Sequence, residues 1–124
     1  MFDNGNFWGP TLAAISSSDD PASFAGFGPY MPGYSLLPYN DLEAIEAELK
    51  DPNVFAFMVE PIQGEAGVVV LDEGYLAKVR RLCTQYNVLF IADEVQTGIA
   101  RTGKMLATDY EDARTDILVL GKAL

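Results

Sequence analysis

The chain has 124 residues, 49% hydrophobic and 21% charged, the balance of one small globular domain rather than a disordered segment. Acidic groups outnumber basic ones by 18 to 8, and a net charge of −10 is the wrong sign for a nucleic-acid or anionic-membrane surface. Histidine is absent, which removes Ser-His-Asp triads, histidine general bases and histidine metal sites, and the lone Cys83 excludes an internal disulfide and suits a reducing compartment.

Met1–Gly5 show neither the basic and apolar regions of a secretory signal nor an arginine-rich transit pattern. No apolar run is long enough to span a membrane as a helix. Residues 1–33 hold Gly5, Gly9, Pro10, the run Ser16–Pro21, Gly28-Pro29 and Pro32-Gly33, and read as mostly loop with a helical turn or two near Thr11–Ser16. So long a loop is usually a functional surface. Its aromatics, among them Phe7, Trp8, Phe27 and Tyr30, are too many for a free linker.

Leu36–Tyr39 is a weak strand. Asp41 is a good N-cap, and Leu42, Ile45 and Leu49 recur at helical spacing, so a helix is expected over 42–50. Asp51-Pro52-Asn53 ends it. Val54–Val59 is a buried strand that runs into Glu60-Pro61 and then Gln63-Gly64-Glu65-Ala66-Gly67, and Val68–Leu71 is a short extra strand. Asp72-Glu73-Gly74 opens a helix through Tyr86, with Tyr75, Leu76, Val79, Leu82 and Cys83 facing inward. Cys83 therefore serves packing.

Val88–Ile91 is an unbroken apolar run that fits a strand buried on both faces. It delivers Asp93 to its carboxyl end, the rim at which open α/β sheets bind ligands. A loop at Thr97–Thr102 and a less regular region precede a last strand, Ile117–Leu120, which ends in Gly121-Lys122. The alternation predicts an α/β fold: a partial parallel sheet in three layers, with flanking helices and right-handed crossovers. With no helix to cover its last strand, the chain reads as an internal piece of a larger protein.

Gly98–Lys104 has phosphate-loop spacing, but Met105 stands where a magnesium-binding hydroxyl is required, and the loop follows the acidic strand instead of preceding it. Taken singly, Asp93 is an ordinary strand-end acid, Lys122 a surface lysine, Glu65 a turn residue and Phe7 a core aromatic. Taken together, a buried acid, Asp93, and a buried base, Lys122, are each delivered by a strand end.

Five blocks carry a resemblance: Gly5-Asn-Phe-Trp-Gly9, Phe27-Gly-Pro-Tyr-Met-Pro-Gly33, Glu60-Pro-Ile-Gln-Gly-Glu-Ala-Gly67, Asp93-Glu-Val-Gln-Thr-Gly98 and Gly121-Lys-Ala-Leu124. In them the whole chain resembles the class III pyridoxal-phosphate-dependent aminotransferases of fold type I. The Phe27–Gly33 block and Asp51-Pro52-Asn53-Val54 point to the ornithine branch. The resemblance implies that residues 1–124 are part of the large cofactor domain of an enzyme that forms a homodimer or higher homo-oligomer, in the mitochondrial matrix or cytoplasm. The rest of that domain and a small C-terminal domain would be absent, and the piece alone inactive.

The implied activity moves the δ-amino group of ornithine to 2-oxoglutarate. Acetylornithine- or GABA-type chemistry and a catalytically inert truncated product are the alternatives. The resemblance also implies the roles. Lys122 forms an imine with the cofactor and shuttles the substrate proton. Asp93 keeps the ring nitrogen charged, Gln96 donates to the phenolic oxygen, and Phe7 and Val95 pack on the two ring faces. Glu65 contributes to substrate specificity. One departure stands out: Pro10 replaces an arginine that helps hold the substrate carboxylate. Losing one member of a buried charge pair typically costs about 2–5 kcal/mol.

Overall fold

The computed structural model describes all 124 residues. Its first element is one that composition hides. Phe2–Asp3 forms strand β1 inside the stretch expected to be loop. The next 32 residues make two short helices, α1 at Leu12–Ser16 and α2 at Pro21–Phe24, capped by the side chains of Thr11 and Asp20. Strand β2 follows at Leu36–Leu37, and helix α3 at Leu42–Glu48. The Asp41 side chain caps α3 as expected, accepting from the Ala44 amide at 2.9 Å. Strand β3 spans Ala56–Val59, and β4 (Ile62–Gln63) and β5 (Val69–Val70) form a separate antiparallel ribbon.

Helix α4 covers Tyr75–Tyr86 and turns Tyr75, Leu76, Val79 and Cys83 inward. Gly74, just before it, has no side chain to cap the free amides. Glu111 supplies the cap from a distance, accepting from the amides of Gly74 at 3.0 Å and Ala77 at 2.9 Å. Asn87 closes α4 in the left-handed region, at φ 56°. Strand β6 (Leu89–Asp93), a 3₁₀ turn (Ala107–Tyr110) and strand β7 (Ile117–Val119) complete the chain.

Five strands form one parallel sheet in the order β2-β1-β3-β6-β7. The steps from β2 to β3 and from β3 to β6 move the same way across it. Their helices α3 and α4 pack on the same face, so both crossovers have one hand. On that face Ile45, Leu49, Val79 and Cys83 bury Phe57, Val59 and Phe90. The thiol of Cys83 is sealed in, and burial pushes it up to about 11, which fits a packing role.

The register sets Phe2, Met58, Ile91 and Ile117 side by side in one row on the opposite face. Phe2 stacks on Trp8 with ring centroids 5.3 Å apart, so the Asn6–Gly9 segment lies over the β1 side of that face. The β6–β7 side carries no helix. The expectation of a β6 buried on both faces is thus corrected. Leu89 is 44% exposed, and the run is apolar throughout because one face is core and the other lines a cavity. No helix is long and apolar enough to cross a membrane.

Candidate active site

Parallel strands of this sheet all end on the same edge, and the open face meets that edge in a cavity of about 410 Å³. Met58, Ile91, Ile117 and Val119 form its apolar floor, and Phe7, Trp8 and Gly9 close one side. Glu60, Asp93, Val95, Gln96 and Lys122 bring polar groups and the strand ends to it. The side-chain alternation of strands accounts for this set: Met58 and Glu60, Ile91 and Asp93, and Ile117 and Val119 each point to one face.

Asp93 is 7% exposed at the end of β6. Burial raises its carboxyl above the ordinary range. The Val95 amide, which donates to Oδ1 at 3.0 Å, and the charge of Lys122 pull it back, while Glu94 opposes them. A buried carboxylate held up in this way favours a cation placed beside it. Lys122 is exposed in this chain, not buried as expected, because it lies past the end of β7 on a strand face that no helix covers. Its φ of 50° is an uncommon conformation for a residue with a side chain and one concentrated at ligand sites. Gly121 lies beside Val95, where a Cβ would make an ordinary contact, 3.4 Å from Val95 Cγ1.

Of the residues singled out from the sequence, the cavity gathers Phe7, Asp93, Val95, Gln96 and Lys122. Glu65 stands outside the lining but is tied to it, since Gln96 Nε2 donates to Glu65 Oε1 at 3.1 Å. That contact needs Gly64, where a Cβ would collide with the Gln96 side chain. Pro10 is exposed, one residue beyond Gly9, and brings no donor or charge to the rim.

Sequence reasoning missed Glu60, Trp8 and the apolar floor. Glu60 carried a readable signal, a carboxylate leaving a buried strand just as Asp93 does. Trp8 carried none, because its place depends on Phe2 and on Ser17 Oγ, which accepts from its indole N–H at 2.7 Å. The phosphate-loop look-alike is occupied with local contacts: Lys104 lies over the Tyr110 ring and donates to the Asp109 carbonyl at 3.0 Å.

A cavity at the carboxyl edge of a parallel sheet, with a buried acid and a lysine on neighbouring strand ends, lies where open α/β sheets bind their ligands. A model of the family "Aminotransferase class-III" matches residues 1–124, so the chain belongs to the class-III aminotransferases. The mitochondrial ornithine aminotransferase of Drosophila melanogaster is 68% identical over the whole chain, which covers 29% of it.

The crystal structure of ornithine aminotransferase from Toxoplasma gondii superimposes with a TM-score of 0.97 at 52% identity, covering 98% of this chain and 29% of that one. A second structure of that protein shows partial occupancy of PLP at its active site. An acetylornithine aminotransferase from Elizabethkingia anophelis matches 75% of this chain and 25% of its own at 60% identity, with a TM-score of 0.73. The chain thus spans under a third of the length of the relatives it matches.

Proposed function

We propose that this chain is part of the large, cofactor-binding domain of an ornithine aminotransferase-like enzyme. In it Asp93 and Lys122 hold pyridoxal phosphate between them. The observation that carries the reading is the shared cavity: a buried acid, a lysine and an aromatic ring around one apolar floor. The residues suit the cofactor. Asp93 forms no ion pair and feels only the longer-range charge of Lys122, and a protonated pyridine nitrogen would give it a close partner. When bound, pyridoxal phosphate supplies an aldehyde for imine chemistry and a ring that withdraws electrons from an adjacent carbanion.

The chain's own residues do the rest. Asp93 keeps a proton on the ring nitrogen by offering a carboxylate shielded from water. Lys122 contributes its Nζ as the amine and, once freed, takes a proton from the substrate carbon and returns it. Phe7 and Val95 pack the ring, and Gln96 brings an amide donor. Glu65, bonded to Gln96, sits where the amino donor is selected.

The amino donor is ornithine and the acceptor 2-oxoglutarate, giving glutamate 5-semialdehyde and glutamate. Two such chains form a homodimer, in the mitochondrial matrix or the cytoplasm. The level of identity to the Elizabethkingia protein favours acetylornithine as the alternative donor. Steady-state rates of the enzyme that carries this chain separate the two, with ornithine, acetylornithine and GABA compared against 2-oxoglutarate. A kcat/KM for ornithine at least about tenfold above the others supports the reading. A preference for acetylornithine or GABA overturns it.

A further inference from the structure

Glu60 has no role in the reading above, yet it is 8% exposed and faces the same cavity as Asp93 and Lys122. Val59 of β3 pairs with Ala92 of β6, so the next residues, Glu60 and Asp93, leave adjacent strands side by side. Two carboxylates so placed repel each other, and a glutamate here needs a reason.

Its contacts supply one. Phe7 N–H donates to Glu60 Oε1 at 2.9 Å, and Gly64 N–H donates to Oε2 at 3.3 Å. Those amides belong to two loops far apart in sequence. The first carries the Phe7 ring and Trp8. The second is the glycine turn against which the Gln96 side chain lies, followed by Glu65, which accepts from Gln96. Gln63 adds a parallel tie, its Nε2 donating to the Asn4 carbonyl at 2.7 Å.

We propose that Glu60 is a positioning residue of this site. Its two carboxylate oxygens clamp the Phe7 segment and the Gly64 turn to the end of β3, and so place the Phe7 ring and the Gln96–Glu65 pair around the cavity. A carboxylate suits the task because it offers two acceptors and no donor. Both oxygens are engaged by backbone amides, so Glu60 holds the walls rather than binding the amino substrate. Burial without a cation partner raises its carboxyl, and the Phe7 and Gly64 amides partly offset this. The geometry stands without the cofactor; only its consequence for the cofactor rests on the aminotransferase reading.

The test is residue-resolved amide hydrogen exchange on the enzyme that carries this chain and on its Glu60→Ala and Glu60→Gln variants. The expected result is local. In Glu60→Ala, exchange at Phe7 and Gly64 accelerates by about tenfold or more, while the core amides of Val79 and Phe90 are unchanged. In Glu60→Gln the single amide oxygen keeps one of the two protections and loses the other. Unchanged exchange at both amides, or equal acceleration throughout the core, overturns the proposal. Glu60→Gln alone decides should the alanine variant fail to fold.

A second readout is labelling of Lys122 by pyridoxal phosphate and borohydride, scored by mass spectrometry. Labelling that drops in Glu60→Ala and is restored at least in part in Glu60→Gln supports the cofactor consequence. Equal labelling in all three proteins overturns that consequence. Absence of labelling in the unaltered protein refutes the aminotransferase reading instead, and the exchange pattern still decides the clamp.

Discussion

Asp3 is 1% exposed in the second-from-edge strand of the sheet, and neither of its carboxylate oxygens has a hydrogen-bond partner. Its surroundings include Tyr75, whose hydroxyl is also unpartnered, and Tyr39, whose hydroxyl donates to the Glu60 carbonyl at 2.9 Å. Burial pushes the Asp3 carboxyl from its ordinary 3.8 up to about 8. The sign of the consequence follows. From about 4 to about 8 the folded chain holds a proton that the unfolded chain has lost, so stability falls as pH rises through that window. Asp3→Asn removes the penalty, and urea unfolding between these limits should show a flatter profile and a gain at neutral pH of at least about 1 kcal/mol. An unchanged slope would contradict the assignment. None of this is legible in Met1-Phe2-Asp3, where an aspartate before Asn and Gly looks like a turn residue.

At the level of elements, Glu94 organises the connection that runs from β6 to β7. Glu94 is fully buried, and its carboxylate accepts from the Thr97 hydroxyl, from the amides of Ala107 and Thr108 at 2.9 Å each, and from the Thr108 hydroxyl at 3.0 Å. One side chain thus joins the strand end that carries Asp93 to the 3₁₀ turn. Replacing it by glutamine turns an acceptor into a donor that faces donors, at a cost of about 1–3 kcal/mol. Glu94→Gln should lower the urea midpoint and speed tryptic cleavage at the exposed Arg101 and Lys104. Unchanged stability and cleavage would show that the loop holds by other means.

The elements that were legible are those with a local signature: the Asp41 cap, the apolar face of α4, and the runs of β3, β6 and β7. Strand β1 escaped because two residues have no period, and it exists only through pairing with β2 and β3. The Glu111 cap of α4 escaped for a related reason, since its partners at Gly74 and Ala77 are far away in sequence.

On the scale of the whole molecule, the sheet has two apolar faces with different uses. One is filled by α3 and α4, and the other forms a cavity floor whose rim holds the charged groups. An apolar strand run cannot distinguish these uses, which is why β6 reads as doubly buried. Strand-end acids and lysines were readable because a parallel sheet brings all its carboxyl ends to one edge. The partners that hold the rim in place, Glu60 and Trp8, depend on loops returning from elsewhere and were not. Pro10, exposed beside the rim, brings it neither a charge nor a donor.

The central claim is that Asp93 and Lys122 serve one cofactor ring in this cavity. The direct test is to add pyridoxal phosphate, reduce with borohydride, and map the adduct by mass spectrometry in the enzyme that carries this chain and in its Asp93→Asn variant. The account predicts an adduct on Lys122 in preference to Lys50, Lys78 and Lys104, falling by about tenfold or more in the variant. Indiscriminate labelling of the four lysines, or labelling of Lys122 that ignores the loss of the Asp93 charge, would contradict it.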